Sequence, residues 1–367
     1  MAGLRVRLRY QAWPPQALSR SSRPHVPWPR HPRSLLPRSG RGSSQLLSSP
    51  QPAPHLLSQY SSFGLGGPAS CLVVATSTAE LTQALARGLE EYHGRCVVIG
   101  KGSNVLFDDR GFSGMVIVNA VDFVHDDDDD MMHKVLRVGA GTPVNRLAMD
   151  VSRDGYRGLE FAVGIPGTVG GFTYMNAGAH GSQASDVLTS VTCVNASGER
   201  TVFRRDDSGE WPNGWWDYRH SPVMDLDGDP LVIVEVTMRL RRTGDGDGDG
   251  DGDDAPEKRA QRWLQQRQES QPVNKRSAGC IFRNPAANVP AGKLIDDAGL
   301  KGAGVGGCQV SEKHANYLVG VTSACTSADV RASMRLVQEE VRRRFGYDLE
   351  PEVRVLDYDG DGFHAFR

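Results

Sequence analysis

The chain has 367 residues, of which 39% are hydrophobic and 23% are charged, so it is not a wholly disordered protein, and its length favours two or three domains. It contains no apolar run of about 18 residues and no CxxC pair among its six cysteines, which argues against a membrane-spanning helix, a disulfide scaffold and a metal site. The formal net charge of −2 combines an acid-free first segment with an acidic remainder.

Residues 1–58 are rich in Arg, Ser and Pro. They contain nine Arg but no Lys, Asp or Glu, and they lack the apolar run of a secretory signal. This composition predicts an organellar transit peptide, with a tail of no function and a basic nucleic-acid-binding arm as the alternatives. The remainder has 33 Lys and Arg against 44 Asp and Glu, a formal charge of −11, so no nucleic-acid partner is expected of it.

The first globular segment has the pattern of strands and a helix. Apolar residues recur at helical spacing over 75–89, and Ser77 or Thr78 is suited to cap that helix. Short apolar runs at 96–99 and 115–118 predict two strands, the first of which ends at a glycine-rich turn.

A second segment follows five consecutive aspartates at 126–130, which predict a solvated loop. Beyond them a helix is predicted at 143–154, and a turn at 195–198 is predicted to join two strands as a hairpin. The predicted strands lie at 135–140, 191–194, 200–203 and 231–240.

Residues 244–254 are a low-complexity run of Gly and Asp and predict a flexible linker. The run also resembles the start of a calcium loop, but the twelfth position from Asp245 is Pro256, where such a loop needs Glu. After the linker, helices are predicted at 257–268 and 327–345, and a strand at 349–356. The globular sequence therefore divides into 60–125, 130–243 and 255–360.

Two glycine-rich turns are the first candidate ligand sites. The turn at 100–104 could form an anion-binding nest, although it fits neither the GxGxxG nor the P-loop pattern, and a purely structural turn is the alternative. Residues 164–171 hold four glycines and one proline, which argues against an ordinary strand or helix. Such a backbone suits a flat ligand packed against the main chain, and a tight domain crossover is the alternative.

Six short motifs then carry a resemblance to a known enzyme family. They are GKGSNVLF at 100–107, GIPGTVGG at 164–171, MNAGAHG at 175–181, YRHS at 218–221, SAGCIFRNP at 277–285 and LEPEVR at 349–354. Over about residues 60–356 the chain resembles the UDP-N-acetylenolpyruvoylglucosamine reductase family, in the shorter form that lacks an added tyrosine loop. The resemblance implies an α+β fold: a two-part FAD-binding domain of the vanillyl-alcohol-oxidase/p-cresol-methylhydroxylase type at 60–125 and 130–243, then an α+β substrate-binding domain at 255–360.

This resemblance implies an enzyme that uses FAD and NADPH to reduce UDP-N-acetylglucosamine enolpyruvate to UDP-N-acetylmuramate, a step of peptidoglycan precursor synthesis. The expected partners are the UDP-sugar and NADPH, and a monomer is expected. Another FAD-dependent sugar or alcohol oxidase and a non-catalytic flavin-binding module are the alternatives. The resemblance assigns FAD binding to Gly100, Lys101, Gly102, Ser103, Asn104, Ile165, Gly167, Thr168 and Gly171.

Three residues of these motifs are candidates for the chemistry, which needs a stabilised negative charge and a delivered proton. Cys280 matches the position of the family's Ser or Cys proton donor, and a thiol with a reference pKa of about 8.5 is mostly protonated at neutral pH. Arg219 offers a planar charge for carboxylate or enolate oxygens. Glu352 is its expected partner because the match runs through the Glu-Val-Arg triplet. Glu350, expected on the same strand face, is the alternative.

Substrate contacts are expected from polar residues in or near the same motifs. The predicted contacts are Tyr218, Asn284, Lys313, His314 and Asn316, of which the last three offer cationic and polar groups for a UDP diphosphate. No role is assigned to the Trp-rich segment 211–216.

The leader and the implied chemistry together indicate a location. A peptidoglycan enzyme that carries a transit peptide suggests a eukaryote with plastids of bacterial ancestry. The chloroplast stroma is therefore expected, in preference to the mitochondrion.

Overall fold

The computed structural model describes residues 55–129, 133–224, 230–243, 255–360 and 362, all within the unit Pro52–Arg367. The predicted transit peptide up to residue 54 and the predicted linker at 244–254 lie outside the described residues. Within the described ranges, no helix is both long and apolar enough to cross a membrane.

The described chain starts with residues that belong to the folded body. Leu57–Tyr60 form a 3-10 helix, and Leu57 is fully buried in a cluster that includes Val97 and Phe107. The main-chain N–H of Leu57 donates to the Gly67 carbonyl at 2.9 Å. The predicted leader boundary at residue 58 is therefore too late, because an apolar core residue precedes it.

A three-stranded parallel sheet with one helix forms the first part of the fold. The elements in chain order are β1 Ala69–Ala75, α1 Thr78–Glu91, β2 Cys96–Ile99, β3 Val105–Phe107 and β4 Phe112–Asn119. The sheet has the order β1-β4-β2. Helix α1 begins as predicted, since Ser77 Oγ accepts a hydrogen bond from the Glu80 N–H at 3.2 Å. The glycine-rich turn 100–104 leaves the carboxyl end of the edge strand β2.

The second part is built on a larger antiparallel sheet. Its elements are β5 Val124–Asp129, β6 His133–Gly139, α2 Val144–Arg153, β7 Tyr156–Arg157, α3 Val169–Tyr174, β8 Gly178–Ala179, β9 Ser182–Gln183, α4 Ala184–Val187, β10 Leu188–Val194, β11 Arg200–Arg204 and β12 Val232–Arg242. The sheet has the order β11-β10-β12-β6-β5, and β7 also pairs with β12. Short 3-10 helices lie at Glu160–Ala162 and Pro222–Met224.

The aspartate run departs from the prediction of a solvated loop. Its described residues belong to β5, which pairs antiparallel with β6. Two cations on β6 reduce the repulsion between the acids: Lys134 Nζ lies 3.1 Å from Asp126 Oδ2, and Arg137 Nε lies 3.2 Å from Asp127 Oδ1. Cross-strand ion pairs thus allow an acidic sequence to form an edge strand.

The third part contains short strands and two longer helices. Its elements are α5 Pro256–Ser270, α6 Ala291–Asp297, β13 Gly304–Val305, β14 Cys308–Val310, β15 Leu318–Gly320, α7 Ser327–Phe345 and β16 Arg354–Leu356. Strands β13, β14 and β15 form one antiparallel sheet. Helix α7 has the predicted bounds: Thr326 and Asp329 form a capping box, and Gly346 ends the helix in the left-handed conformation.

The final strand is shorter than the predicted 349–356. Only Arg354–Leu356 is a strand, and it pairs in parallel with β3 of the first part. The residues before it bond to a loop instead: the Glu352 N–H donates to the Ile281 carbonyl at 2.7 Å, and the Arg283 N–H donates to the Glu350 carbonyl at 2.8 Å. Residues 349–356 therefore connect the third part to β3, the strand that follows the turn at 100–104.

Separate hydrophobic clusters stabilise these parts. One cluster lies between the antiparallel sheet and α2, another surrounds α7, and two lie on the faces of the parallel sheet. Trp211, Trp215 and Trp216 pack on the first of these, and Trp211 Nε1 donates to the Ser185 carbonyl at 3.1 Å. The Trp-rich segment thus anchors the chain immediately before Arg219.

Candidate active site

Two cavities meet at the predicted catalytic residues. The larger, of about 880 Å³, is lined by both glycine-rich turns, and the smaller, of about 520 Å³, is lined by all five predicted substrate contacts. Arg219, Cys280 and Glu352 line both cavities. The three side chains come from separate segments of the chain, so the tertiary structure brings together residues that the sequence could only propose one by one.

The turn at 100–104 forms one wall of the larger cavity. Gly102 has φ +59°, and a Cβ on it would lie 1.9 Å from the Tyr60 carbonyl oxygen. A Cβ on Gly100 would lie 2.4 Å from Thr168 Oγ1, so both positions need glycine. Ser103 Oγ donates to the Pro166 carbonyl at 3.2 Å, which joins this turn to the second one.

The second glycine-rich segment is only partly irregular. Gly167 has φ +122°, as a turn requires, but α3 begins at Val169. The expectation that 164–171 excludes a helix is wrong for its second half, because Thr168 caps α3: the Gly171 N–H donates to Thr168 Oγ1 at 3.4 Å. Gly170 lets that helix approach Ala140 closely, since a Cβ on it would lie 3.0 Å from the Ala140 Cβ.

The larger cavity fits a flavin nucleotide. Its volume is in the range of small-molecule and cofactor sites, and glycines without side chains form two of its walls. Apolar side chains, among them Leu85, Val97 and Leu231, line one region, and Arg219 and Glu352 line another. The glycine walls and the apolar region suit a long ligand with a flat ring system.

Arg219 and Glu352 form a close ion pair where the cavities meet. Arg219 Nε lies 2.6 Å from Glu352 Oε1, and the two side chains are 18% and 13% exposed. Burial raises the pKa of Glu352 although Arg219 acts in the opposite direction. Burial lowers the pKa of Arg219, but the attraction of Glu352 and other neighbours raises it on balance. The pair holds a planar cation at a fixed position with little water around it.

The Cys280 thiol lies beside this pair and is protonated at neutral pH. Burial, together with the negative charge of Glu352, raises its pKa to about 12, although Arg219 and Arg267 act against that shift. Cys280 forms an isolated β-bridge with Tyr317, whose hydroxyl donates to Gln271 Oε1 at 2.6 Å. The site therefore contains a neutral S–H donor next to a fixed cation.

The two glutamates of the last motif have different surroundings. Glu350 is exposed, whereas Glu352 contacts Arg219 and its carbonyl accepts a hydrogen bond from Asn104 Nδ2 at 3.2 Å. The expectation that both lie on one strand face is wrong, because 349–353 bond to the loop around Ile281 and not to a sheet. Of the two carboxylates, only Glu352 lines the cavities.

The predicted substrate contacts surround the smaller cavity. Tyr218 is 42% exposed, and its hydroxyl accepts a hydrogen bond from the Asn284 N–H at 3.3 Å. Lys313 Nζ donates to the Gln268 carbonyl, and burial lowers the pKa of His314. Asn316 is only 4% exposed, and its side chain accepts from and donates to the Phe282 main chain at 3.0 and 2.8 Å. In this arrangement the Asn316 side chain supports the loop of Cys280.

Sequence reasoning missed several residues that line the larger cavity. They include Arg267 on α5, Tyr317, Gln271 and Arg354. Arg354 lies within the sixth motif, and its buried Nε has no hydrogen-bond partner among the described residues. Arg267 lies on a helix with no assigned role, and no local pattern distinguishes it from the other polar residues of α5. Position in the fold alone identifies it.

Two family models match the parts that form these cavities. Residues 69–204 match an FAD binding domain, and residues 271–356 match a domain described as UDP-N-acetylenolpyruvoylglucosamine reductase, C-terminal domain. The cavity with glycine walls, the protonated thiol and the buried ion pair agree with these matches. The protein is an α+β enzyme, an FAD-containing oxidoreductase, as the sequence predicts.

Whole-chain comparisons extend the match. A UDP-N-acetylenolpyruvoylglucosamine reductase of Protochlamydia amoebophila is 38% identical over 309 residues, covering 83% of this chain and 93% of that protein. One of Chlamydia abortus is 38% identical over 305 residues, covering 82% and 93%. The crystal structure of a UDP-N-acetylenolpyruvylglucosamine reductase from Thermus caldophilus superposes with a TM-score of 0.60 at 28% identity, covering 82% of this chain and 97% of that one. The chain belongs to the UDP-N-acetylenolpyruvoylglucosamine reductase family.

Proposed function

We propose that this protein catalyses the NADPH-dependent reduction of UDP-N-acetylglucosamine enolpyruvate to UDP-N-acetylmuramate, a step of peptidoglycan precursor synthesis. The observation that carries the proposal is the position of Arg219, Cys280 and Glu352, which line both the glycine-walled cavity and the cavity of polar contacts. A reacting carbon at this junction would be accessible to a cofactor from one side and to a proton donor from another.

Bound FAD, once reduced by NADPH, would supply the hydride that adds to one carbon of the enolpyruvyl double bond. The two glycine-rich turns would hold it, because both segments line the larger cavity and are rich in residues without side chains. Gly100 and Gly102 exclude side chains there, and the bond between Ser103 and Pro166 keeps the two turns together.

The chain's own residues would then complete the reduction. Arg219 would stabilise the negative charge that develops toward the enolpyruvyl carboxylate, since its guanidinium is buried and fixed by Glu352. The Cys280 S–H, protonated because its pKa is raised to about 12, would deliver a proton to the adjacent carbon. One hydride and one proton convert the double bond of the enolpyruvyl ether into the lactyl ether.

The smaller cavity would hold the UDP-sugar. Lys293, Lys301 and Lys313 all line it, and their charge favours a diphosphate. Lys293 and Lys301 also pair with Asp297 and Asp296 at 2.9 and 2.8 Å. The diphosphate would compete with these two aspartates for the lysines, and ion pairs near the surface are individually weak.

Substrate-dependent oxidation of NADPH by the purified, FAD-loaded chain tests this proposal. Rapid oxidation that needs the enolpyruvyl UDP-sugar is the expected result. Oxygen consumption with free sugars or alcohols, and no response to the enolpyruvyl compound, would identify a sugar or alcohol oxidase. Flavin that reacts with neither would identify a binding module.

We also propose import into the chloroplast stroma. The support is the acid-free, Arg- and Ser-rich composition of 1–58, together with the bacterial character of the enzyme family. A fusion of residues 1–58 to a fluorescent protein, expressed in a plastid-bearing cell, should co-localise with chlorophyll. Mitochondrial fluorescence would overturn the location but not the activity.

A further inference from the structure

The backbone of Arg219 adopts a conformation that needs external support. Its φ is +56°, in the left-handed region that side chains other than glycine rarely adopt. Arg219 lies in a tight turn, in which the His220 N–H donates to the Asp217 carbonyl at 3.0 Å. Such strain persists only where the surrounding structure holds it, and here the strained residue carries the guanidinium of the site.

Two hydrogen bonds from side chains hold this turn, one before Arg219 and one after it. Asn176 Nδ2 donates to the Asp217 carbonyl at 2.9 Å, before Arg219, and Ser221 Oγ donates to the Tyr174 carbonyl at 2.8 Å, after it. Asn176 and Ser221 are both fully buried. The end of α3, with the residues just after it, therefore gives one side-chain hydrogen bond to the turn of Arg219 and receives one from it.

Asn176 is itself fixed by every polar group of its side chain. Its φ is +40°, Nδ2 also donates to Gln183 Oε1 at 3.1 Å, and Oδ1 accepts from the Ser185 N–H at 3.0 Å. Asn tolerates the left-handed region better than most residues, so a single residue type supplies both the backbone and the bonds. Asn176 does not line either of the two cavities described above.

We propose that Asn176 is a positioning residue for Arg219, with Ser221 as the second anchor of the same turn. By holding the Asp217 carbonyl, Asn176 fixes the direction in which the turn projects the guanidinium toward Glu352. Because Asn176 lines neither cavity, we expect it to contact neither substrate nor cofactor. The inference rests on the proposed role of Arg219, which is to stabilise the negative charge that develops on the substrate during its reduction.

Stopped-flow spectroscopy of the FAD-loaded full chain tests this role, because the two half-reactions are observed separately. We expect Asn176→Ala and Asn176→Asp to slow reoxidation by the enolpyruvyl UDP-sugar about 10- to 100-fold, the usual effect of removing an orienting partner. The rate of flavin reduction by NADPH should change by less than about threefold, which is below the effect expected from the loss of an orienting hydrogen bond. Asn176→Gly keeps access to φ +40° but removes the bonds, so it should behave like Ala if the bonds matter.

A double-mutant cycle separates positioning from general stability. If Asn176 acts through Arg219, the variant with both Asn176→Ala and Arg219→Ala should be no slower in reoxidation than Arg219→Ala alone. Asn195→Ala is the matched control: Asn195 is 7% exposed, and its Oδ1 accepts hydrogen bonds from the Ser197 and Glu199 N–H groups in the hairpin turn between β10 and β11. It should lower the melting temperature without changing the ratio of the two half-reaction rates.

The outcomes distinguish this inference from the proposed function. Additive effects in the cycle, or equal losses in both half-reactions, would overturn the positioning role of Asn176. An Arg219→Ala variant that is reoxidised at the normal rate would overturn the proposed role of Arg219 instead. If the Asn176 variants do not retain FAD, Ser221→Ala decides the matter, since it should slow reoxidation selectively through the other anchor of the turn.

Discussion

The wall of the larger cavity and the proposed catalytic centre beside it are built in different ways. The wall consists of two continuous glycine-rich turns, at 100–104 and 164–171, whose function depends on the absence of side chains. The centre consists of three side chains from separate segments, and its ion pair joins residues 133 positions apart. A ligand surface made of main chain can be recognised in a short stretch of sequence, whereas a centre made of side-chain pairs depends on how distant segments pack.

The largest expected effect comes from placing a side chain in the main-chain wall. Gly167→Val adds a Cβ 2.9 Å from Ser103 Oγ at a residue with φ +122°, so it should displace one turn from the other. We expect near-complete loss of FAD, measured by absorbance after desalting.

Gly209→Val is the matched control for this change. Gly209 also has a positive φ, +83°, but an added Cβ would have no atom within 4 Å. It should cost roughly 1–2 kcal/mol of backbone strain and retain FAD. Full FAD occupancy in the Gly167 variant would mean that this wall does not hold the cofactor.

The next effect concerns Cys280, the proposed proton donor. Cys280→Ala should slow reoxidation by the enolpyruvyl substrate by ~10²–10⁴-fold, the usual contribution of a positioned acid, while NADPH reduces the flavin at a nearly normal rate. Cys280→Ser should retain more activity than Ala, because a hydroxyl can occupy the same position. Stopped-flow measurement of both half-reactions provides the comparison.

Cys193→Ala tests whether the loss is specific to the cavity. Burial also raises the pKa of Cys193 to about 12, but this thiol is fully buried within β10. Its loss should lower stability and leave the ratio of half-reaction rates unchanged. Unimpaired reoxidation in Cys280→Ala would remove this thiol from the mechanism and make Glu352 or His314 the next candidate.

A smaller effect is expected from neutralising the acid of the ion pair. Glu352→Gln should slow reoxidation about 10- to 100-fold, since Arg219 would lose the charge that orients it. Because the folded state raises the pKa of Glu352, it binds this proton more tightly than the unfolded state does. The free energy of unfolding of the wild type should therefore fall, relative to Glu352→Gln, as pH rises from below the ordinary Glu pKa through the raised value.

Glu350→Gln is the control for the reoxidation rate. Glu350 is exposed and two residues from Glu352, so this change should leave the reoxidation rate unaltered. Chemical denaturation of the wild type and of Glu352→Gln over a pH series measures the pH dependence of unfolding. Equal behaviour of the two variants would contradict the assignment of Glu352 to the centre.

The smallest effect on FAD binding and activity is expected at the start of the folded body. Deletion of residues 2–54 should leave FAD content and activity unchanged. Leu57→Ala, by contrast, should lower the free energy of unfolding by about 2–5 kcal/mol, because Leu57 is fully buried. Loss of FAD in the deletion variant would mean that residues 2–54 also contribute to the fold.

Local sequence patterns predicted the elements that carry their own signals. Helix α7 has the predicted bounds because its apolar periodicity, capping box and terminal glycine all act within the helix. The predictions were wrong where a distant partner decides the outcome. Strand β5 depends on Lys134 and Arg137 of the facing strand, and the chain before β16 bonds to a loop 71 residues away, as the bond from the Glu352 N–H to Ile281 shows.

Contiguous motifs were enough to predict the enzyme family, the two glycine-rich turns and the candidate residues for the chemistry, because each motif lies within a short stretch of the chain. The tertiary structure showed that Glu352, the residue expected from its motif, meets Arg219, and only the tertiary structure revealed that Arg267 and Tyr317 lie beside Cys280 and that Asn176 holds the turn of Arg219. The physical reason is that side-chain direction in irregular backbone, such as that of Arg219 at φ +56°, follows from buried contacts between distant segments and not from any local period.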